Sequence, residues 1–167
     1  MIKNLQKKRQ EGFTIIEVLI VLAIAGLIIL IVFLAVPALQ RNSRNTQRKN
    51  DVAGVGGALT EYINNNNGAI PATCSGDATT GSGCGTTFAN NFKTSLYDKT
   101  STTNFKFTKQ ASAVVPSPVT SADILEVYNY AKCINNAPTA QDATNRSIIA
   151  LYAVESGGSA TPQCREL

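Results

Sequence analysis

The stretch that decides the fold is GFTIIEVLIVLAIAGLIILIVFLAVPAL, residues 12–39. Within residues 13–39, only three are neither apolar nor glycine: Thr14, Glu17 and Pro37. The 22 residues of 18–39 carry no charge. As a helix they would span roughly 33 Å, which is enough for a hydrocarbon core about 30 Å thick. We therefore predict a helix that can cross a bilayer.

A secretory signal peptide is the first alternative to such a helix. Its apolar region would be about 7–15 residues long and would end at a small-residue cleavage site. The run here is longer, and the segment LAVPA at 34–38 is a poor cleavage site because Pro37 falls inside it. The pattern favours a retained membrane segment.

Composition and charge divide the chain. From Gln40 onward it is rich in Asn, Thr, Ser, Gly and Ala, and the chain beyond the first twelve residues has 11 basic and 10 acidic residues. A nearly neutral body gives no general reason to expect nucleic acid as a partner.

Histidine is absent, which removes the commonest general base and metal ligand. We expect no enzymatic activity, no cofactor and no metal.

Four cysteines lie in the polar part, at spacings that match neither redox nor zinc motifs: Cys74, Cys84, Cys133 and Cys164. Two disulfides are predicted, which places this part in an oxidising compartment. The alternative is four unpaired thiols in a reducing cytosol. Of the three pairings, Cys74–Cys84 with Cys133–Cys164 is the most economical, and crossed pairings stay open.

Basic residues flank the apolar run on both sides, so the positive-inside rule does not decide its orientation. Before the run stand Lys3, Lys7, Lys8 and Arg9, and after it stand Arg41, Arg44, Arg48 and Lys49. Paired cysteines would place the C-terminal part outside the cytoplasm.

The second basic set lies mostly on one helix face, and we interpret it as contacting lipid headgroups or neighbouring subunits. Plain solvation and nucleic-acid binding are the alternatives.

Beyond the membrane segment, apolar residues recur at the spacing of one helix face: Val52, Val55, Leu59, Tyr62 and Ile63. Gly54, Gly56 and Gly57 each destabilise this helix by about 1 kcal/mol relative to alanine. Packing against another surface must therefore keep this stretch helical. Asn64–Gly68 followed by Pro71 predicts its end.

The C-terminal part predicts a small antiparallel sheet. For residues 72–122 the sequence predicts only a polar connector with short apolar patches. Two strand candidates follow, Ile124–Ile134 and Ser147–Glu155, and they are expected to be neighbours. Gly157-Gly158 then turns the chain toward Cys164.

Glu17 is the anomaly of the apolar run, because an unpaired carboxylate in a membrane costs several kcal/mol. It could simply lie in the headgroup region. However, the segment Gly12-Phe13-Thr14-Ile15-Ile16-Glu17-Val18 after a basic leader resembles the type III signal of type IV prepilins. The resemblance implies that a membrane peptidase removes residues 1–12, cutting after Gly12, and methylates the new amine of Phe13.

The resemblance also implies an architecture and an assembly mechanism. It implies an α+β pilin fold, with a transmembrane and filament-core helix at 13–39, its amphipathic continuation at 40–68, and a globular head at 69–167. The Glu17 carboxylate of an incoming subunit would meet the Phe13 amine of a neighbour.

Gly26 and Pro37 could flank a stretch of this helix that melts on assembly. The alternative is a mild kink in a membrane helix. Pro37 lies further along the chain than the usual proline of the family, which leaves the limits of any melting open.

The expected function is that of a structural subunit of a type IV pilus, acting in adhesion, twitching motility or DNA uptake. The subunit would wait in the cytoplasmic membrane with its head outside, and would then join an extracellular homopolymer. Expected partners are prepilin peptidase, the pilus assembly platform and membrane lipid, with DNA the least favoured. The alternatives are a pseudopilin of a type II secretion or competence system, and a single-pass surface protein that never polymerises.

Overall fold

The computed structural model describes residues 12–75, 84 and 105–167. The chain divides into two compact units, Met1–Gln40 and Arg41–Leu167. The predicted leader, residues 1–12, lies outside the described residues apart from Gly12. A single long helix, α1, runs from Ile15 to Asn65 and contributes to both units.

The described part of the first unit is the apolar beginning of α1. It is long and apolar enough to cross a membrane, and none of the side chains in its most apolar window is buried by the residues that the structure describes. The helix continues through Gly26 and through Pro37, although proline removes one backbone hydrogen bond. The melting of this stretch on assembly stays a prediction. Exposed apolar surfaces of this size mark sites of contact with a membrane or with other proteins.

The second unit packs the rest of α1 on a five-stranded sheet. The strand order is β1-β2-β3-β6-β7, and β4 and β5 form a separate hairpin. The strands are β1 Cys74–Ser75, β2 Phe105–Thr108, β3 Leu125–Asn129, β4 Lys132–Ile134, β5 Ala137–Thr139, β6 Ile148–Ser156 and β7 Ser159–Glu166. The predicted α+β class, a long helix packed on a small sheet, is confirmed.

The sheet is mostly antiparallel, with one exception. β3 and β6 are antiparallel neighbours, as predicted for their segments, with Val127 opposite Ala150. β2 and β3 are parallel, with Phe105 opposite Leu125. Parallel neighbours need a long crossover connection, and residues 109–124 supply it without a regular element. The predicted antiparallel arrangement does not extend to this pair.

The prediction of one strand over Ile124–Ile134 is also wrong. β3 ends at Asn129, and Tyr130 takes a positive φ of 56°, which turns the chain out of the sheet. The following residues form the β4–β5 hairpin around Asn135 and Asn136, whose φ angles are 50° and 63°. Asparagine tolerates this left-handed conformation better than most residues. The apolar pattern continued across Tyr130 and concealed the break.

The last strand was not predicted. Gly157 and Gly158 make the tight turn after β6, with φ of 56° and 95°, and the chain returns as β7 at the edge of the sheet. The sequence SATPQCRE has no apolar alternation, because an edge strand at this position buries little. Backbone pairing with β6, such as Tyr152 opposite Gln163, forms the strand instead.

Two apolar clusters lie on the two faces of the sheet. The predicted helix face is confirmed, because Val52, Val55 and Leu59 are buried and Tyr62 and Ile63 pack against the same cluster. Across from them lie side chains of β2, β3 and β6: Phe105, Phe107, Leu125, Val127, Ala150 and Tyr152. The smaller cluster on the opposite face contains Val119, Ala131, Ile149 and Leu151.

The C-terminal end of α1 is determined by its capping residues. The N–H of Gly68 donates to the carbonyl of Ile63 over 2.8 Å, and Asn67 and Gly68 have positive φ angles of 54° and 80°. This is the bond that closes a Schellman-type cap. The predicted helix stop is confirmed.

Two disulfides tie the second unit together. Cys74 is joined to Cys84 with a Cα–Cα distance of 4.9 Å. Cys133 is joined to Cys164 at 5.7 Å and links β4 to β7. The second bond closes a separation of 31 residues, for which the chain-entropy model gives about 3–4 kcal/mol.

The three glycines in the second half of α1 differ in their surroundings. A Cβ built on Gly56 would lie 3.1 Å from Cδ2 of Leu167, whereas Cβ atoms on Gly54 and Gly57 would meet nothing within 4 Å. Only Gly56 is therefore needed for close packing within the chain.

Replacement of these glycines by alanine should separate the effect of helix propensity on stability from the effect of side-chain packing. Gly57→Ala should raise the free energy of unfolding by about 0.5–1 kcal/mol, because alanine is the better helix former and the site is open. Gly56→Ala should raise the free energy of unfolding by less, since its methyl group would lie unusually close to the Leu167 side chain. Denaturant unfolding of the two variants provides the comparison, and a larger gain at Gly56 would contradict it.

Candidate processing and assembly site

The predicted processing junction lies just before the helix. Gly12, Phe13 and Thr14 have no regular secondary structure, and α1 begins at Ile15. The first intrahelical bond runs from the N–H of Val18 to the carbonyl of Thr14 over 3.3 Å, which makes Thr14 the N-cap. Phe13 is 90% exposed. The junction is thus an irregular, uncovered chain segment next to a helix start.

Thr14 and Glu17 form a capping box. The backbone N–H of Thr14 donates to Oε2 of Glu17 over 2.9 Å, and the Thr14 hydroxyl donates to the same oxygen over 2.8 Å. In return, the N–H of Glu17 donates to Oγ1 of Thr14 over 3.3 Å. A threonine followed three residues later by glutamate satisfies two otherwise unpaired amides in this way.

The capping box orients the carboxylate that was singled out as the anomaly. It holds Glu17 back toward Thr14 and Phe13, at the helix end where the macrodipole favours a negative charge. Sequence reasoning missed this arrangement, although the pattern T-x-x-E is present at 14–17. The box therefore reduces the cost of a carboxylate beside an apolar helix.

The other predicted site residues do not join this cluster. Gly26 and Pro37 lie further along α1, and the cysteines belong to the second unit. In the ranges that the structure describes, no group of three or more Cys, Asp or Glu side chains is arranged to hold a metal ion. The candidate site thus consists of Gly12, Phe13, Thr14 and Glu17.

The interpretation of the basic face is wrong for Arg48, and Arg44 makes an ion pair within the chain. Nη2 of Arg48 lies 2.8 Å from Oε1 of Glu155, and Nε of Arg44 donates to the same oxygen over 3.0 Å. Arg44 also pairs with the second carboxylate oxygen of Glu155. The side chain of Arg48 is only 4% exposed, so it cannot contact headgroups. The sequence did not indicate Glu155 as a partner of these arginines, because it lies more than a hundred residues after them in the chain.

Asn45 and the loop at Ala122 add contacts to the backbone of Glu155 and to Arg48. Nδ2 of Asn45 donates to the carbonyl of Glu155, and the N–H of Glu155 donates to Oδ1 of Asn45, both over 2.8 Å. Nε of Arg48 donates to the carbonyl of Ala122 over 3.0 Å. We call Arg44, Asn45, Arg48 and Glu155 the Glu155 clamp.

The charges of the clamp shift the titration of its carboxylate. The hydrogen bond from Arg44 lowers the pKa of Glu155, Arg48 adds to this effect, and partial burial opposes it. The result is a pKa of about 2, compared with an ordinary value of 4.5. A lowered folded-state pKa stabilises the fold above the unfolded pKa and loses this effect as the pH falls through the folded pKa.

The clamp therefore predicts an acid dependence that Glu155→Gln removes. The wild-type chain should be more stable than this variant near pH 7, and the difference should shrink as the pH falls from about 4.5 toward 2. Denaturant unfolding of both proteins across this range measures it. Glu61→Gln makes the same chemical change at an exposed position of α1 and is the matched control. A difference that does not vary with pH would contradict the prediction.

Comparisons with known proteins bear on the first part of the chain. Residues 7–33 match the family model described as the prokaryotic N-terminal methylation motif. No curated protein and no solved structure matched the chain in two further comparisons. The match supports a precursor of the type IV pilin or pseudopilin kind that is anchored in a membrane before assembly. Residues 7–33 carry the type IV prepilin signal, the segment that contains Gly12, Phe13 and Glu17.

Proposed function

We propose that this chain is the precursor of a type IV pilus subunit, cleaved after Gly12 and polymerised through α1. The observation that carries the proposal is the apolar start of α1, whose side chains have no cover among the residues that the structure describes and which begins with a capped carboxylate. Lipid covers this surface before assembly, and the same surface of other subunits covers it in the filament. The role is structural rather than catalytic.

Processing and assembly use the same few residues. Cleavage turns the amide nitrogen of Phe13 into a cationic amine, one residue before the N-cap Thr14. In apolar surroundings this cation and the Glu17 carboxylate of a neighbouring subunit attract strongly, and neither can remain unpaired cheaply. Pairing between subunits favours extraction from the bilayer and sets the axial register.

The second unit is the part that the filament displays. Its disulfides support an oxidising location for residues 41–167, so the head is outside the cytoplasmic membrane and later on the pilus. The proposed partners are prepilin peptidase, the assembly platform and other copies of the chain. Adhesion, twitching motility or DNA uptake would be the activity of the assembled pilus.

A pseudopilin is the second candidate, because the processing signal is common to both kinds of subunit. The paired cysteines and the head rich in Thr and Ser favour a displayed pilin. A surface pilus that contains this chain at native expression levels would favour the first role. Loss of protein secretion without loss of a surface pilus, after deletion of the chain, would favour the second.

Mass spectrometry of the mature protein tests the processing step. We expect an N-terminal Phe13 with one added methyl group, because the peptidase signal places the cut after Gly12. Gly12→Val should leave the leader attached, since a branched side chain replaces the glycine at the junction. A mature chain that retains Met1–Gly12 would contradict the proposal.

Substitutions at Glu17 separate charge pairing from helix capping. Glu17→Gln keeps an acceptor at the capping position but loses the charge, so it should remain in the membrane and form few or no filaments. Glu17→Ala should lose both effects. Electron microscopy of surface filaments, with membrane fractionation, measures the outcome.

Thr14→Val and Glu61→Gln serve as the matched controls. Thr14→Val weakens the capping box by about 1 kcal/mol but keeps the Glu17 charge, so it should assemble better than Glu17→Gln. Glu61→Gln makes the same chemical change at an exposed position of the same helix and should form normal filaments. Normal filaments with Glu17→Gln would rule out charge pairing while leaving the fold unaffected.

A further inference from the structure

Residues 41–50 of α1 are a weak helical segment by composition. Five of the ten are Asn, Ser or Thr, which compete with the helix by hydrogen bonding to nearby backbone. Arg44 and Arg48 lie four residues apart on one helix face, where like charges destabilise a helix by about 0.2–0.5 kcal/mol. This segment therefore needs support from outside the helix.

The support that the structure provides is polar. In this segment Arg48 is the only fully buried side chain, and its contacts are to Glu155, Asn45 and the Ala122 carbonyl. The apolar residues of α1 that pack in the core begin at Val52. Residues 41–50 and the stretch from Val52 onward are thus attached to the sheet by different kinds of interaction.

Glu155 has two effects on this segment. Its carboxylate lies between the two like-charged arginines and offsets their repulsion. Its backbone pairs with the Asn45 carboxamide through both its N–H and its carbonyl, at a point of β6 beyond the residues that pair with β3. Loss of the Glu155 charge would leave Arg48 buried without its counter-charge, which is costly.

We propose that residues 41–50 form a latch that opens and closes on the sheet separately from the apolar core, with the Glu155 clamp as its closing contact. Cooperative units with few apolar contacts open at lower free energy than the core of a protein. Opening of the latch leaves the packing of Val52, Val55 and Leu59 intact, together with both disulfides. The second unit therefore has a built-in site of local opening at its first residues.

Hydrogen exchange of the full chain in detergent micelles, followed by mass spectrometry, tests the latch. Glu155→Gln should speed amide exchange in residues 44–50 by about tenfold or more, with exchange in residues 52–63 within about twofold of the wild type. Asn45→Ala, which removes the backbone pairing but keeps every charge, should produce a smaller increase in the same segment.

Glu61→Gln is the control, because it removes a carboxylate at an exposed position of α1, outside the Glu155 clamp. It should leave exchange in residues 44–50 unchanged. Equal increases over 44–50 and 52–63 in both clamp variants would overturn the proposal, because the segment would then open only with the core. Unchanged exchange in residues 44–50 in both variants would overturn it as well.

Discussion

The uncovered apolar start of α1 is the constraint on which the rest depends. A helix with no charge from Val18 to Leu39 cannot expose its surface to water, and the part of the chain that the structure describes does not cover it. Membrane anchoring before assembly and the proposed polymerisation would each cover this surface, and both would be driven by the hydrophobic effect.

A capping box lies at the start of that helix. The side chains of Thr14 and Glu17 each accept a hydrogen bond from the other residue's backbone N–H. The carboxylate next to the apolar run therefore stabilises the helix start without any partner chain. In the proposed assembly, the same carboxylate would also pair with the amine that cleavage creates at Phe13. Capping and the proposed charge pairing would thus use the same residue, four positions after that amine.

In the second unit, asparagine side chains pair with exposed backbone where regular pairing stops. Asn45 pairs with Glu155 at the end of β6. Asn129 pairs in the same way with the N–H and carbonyl of Gln110. Asn136 accepts from the N–H of Cys164 and donates to the carbonyl of Pro162 on the edge strand β7. A carboxamide has an NH2 donor group beside a carbonyl acceptor, so it can pair with both the N–H and the carbonyl of a backbone segment.

The sequence by itself determined the apolar helix, its amphipathic continuation, its stop at Gly68 and the strand of Ser147–Glu155, because local periodicity and capping encode these. Only the tertiary structure decided the rest. The parallel β2–β3 pair, the break at Tyr130 and the edge strand β7 depend on pairing between distant segments. Burial of Arg48 against Glu155 likewise joins charges more than a hundred residues apart, and no local pattern records such a contact.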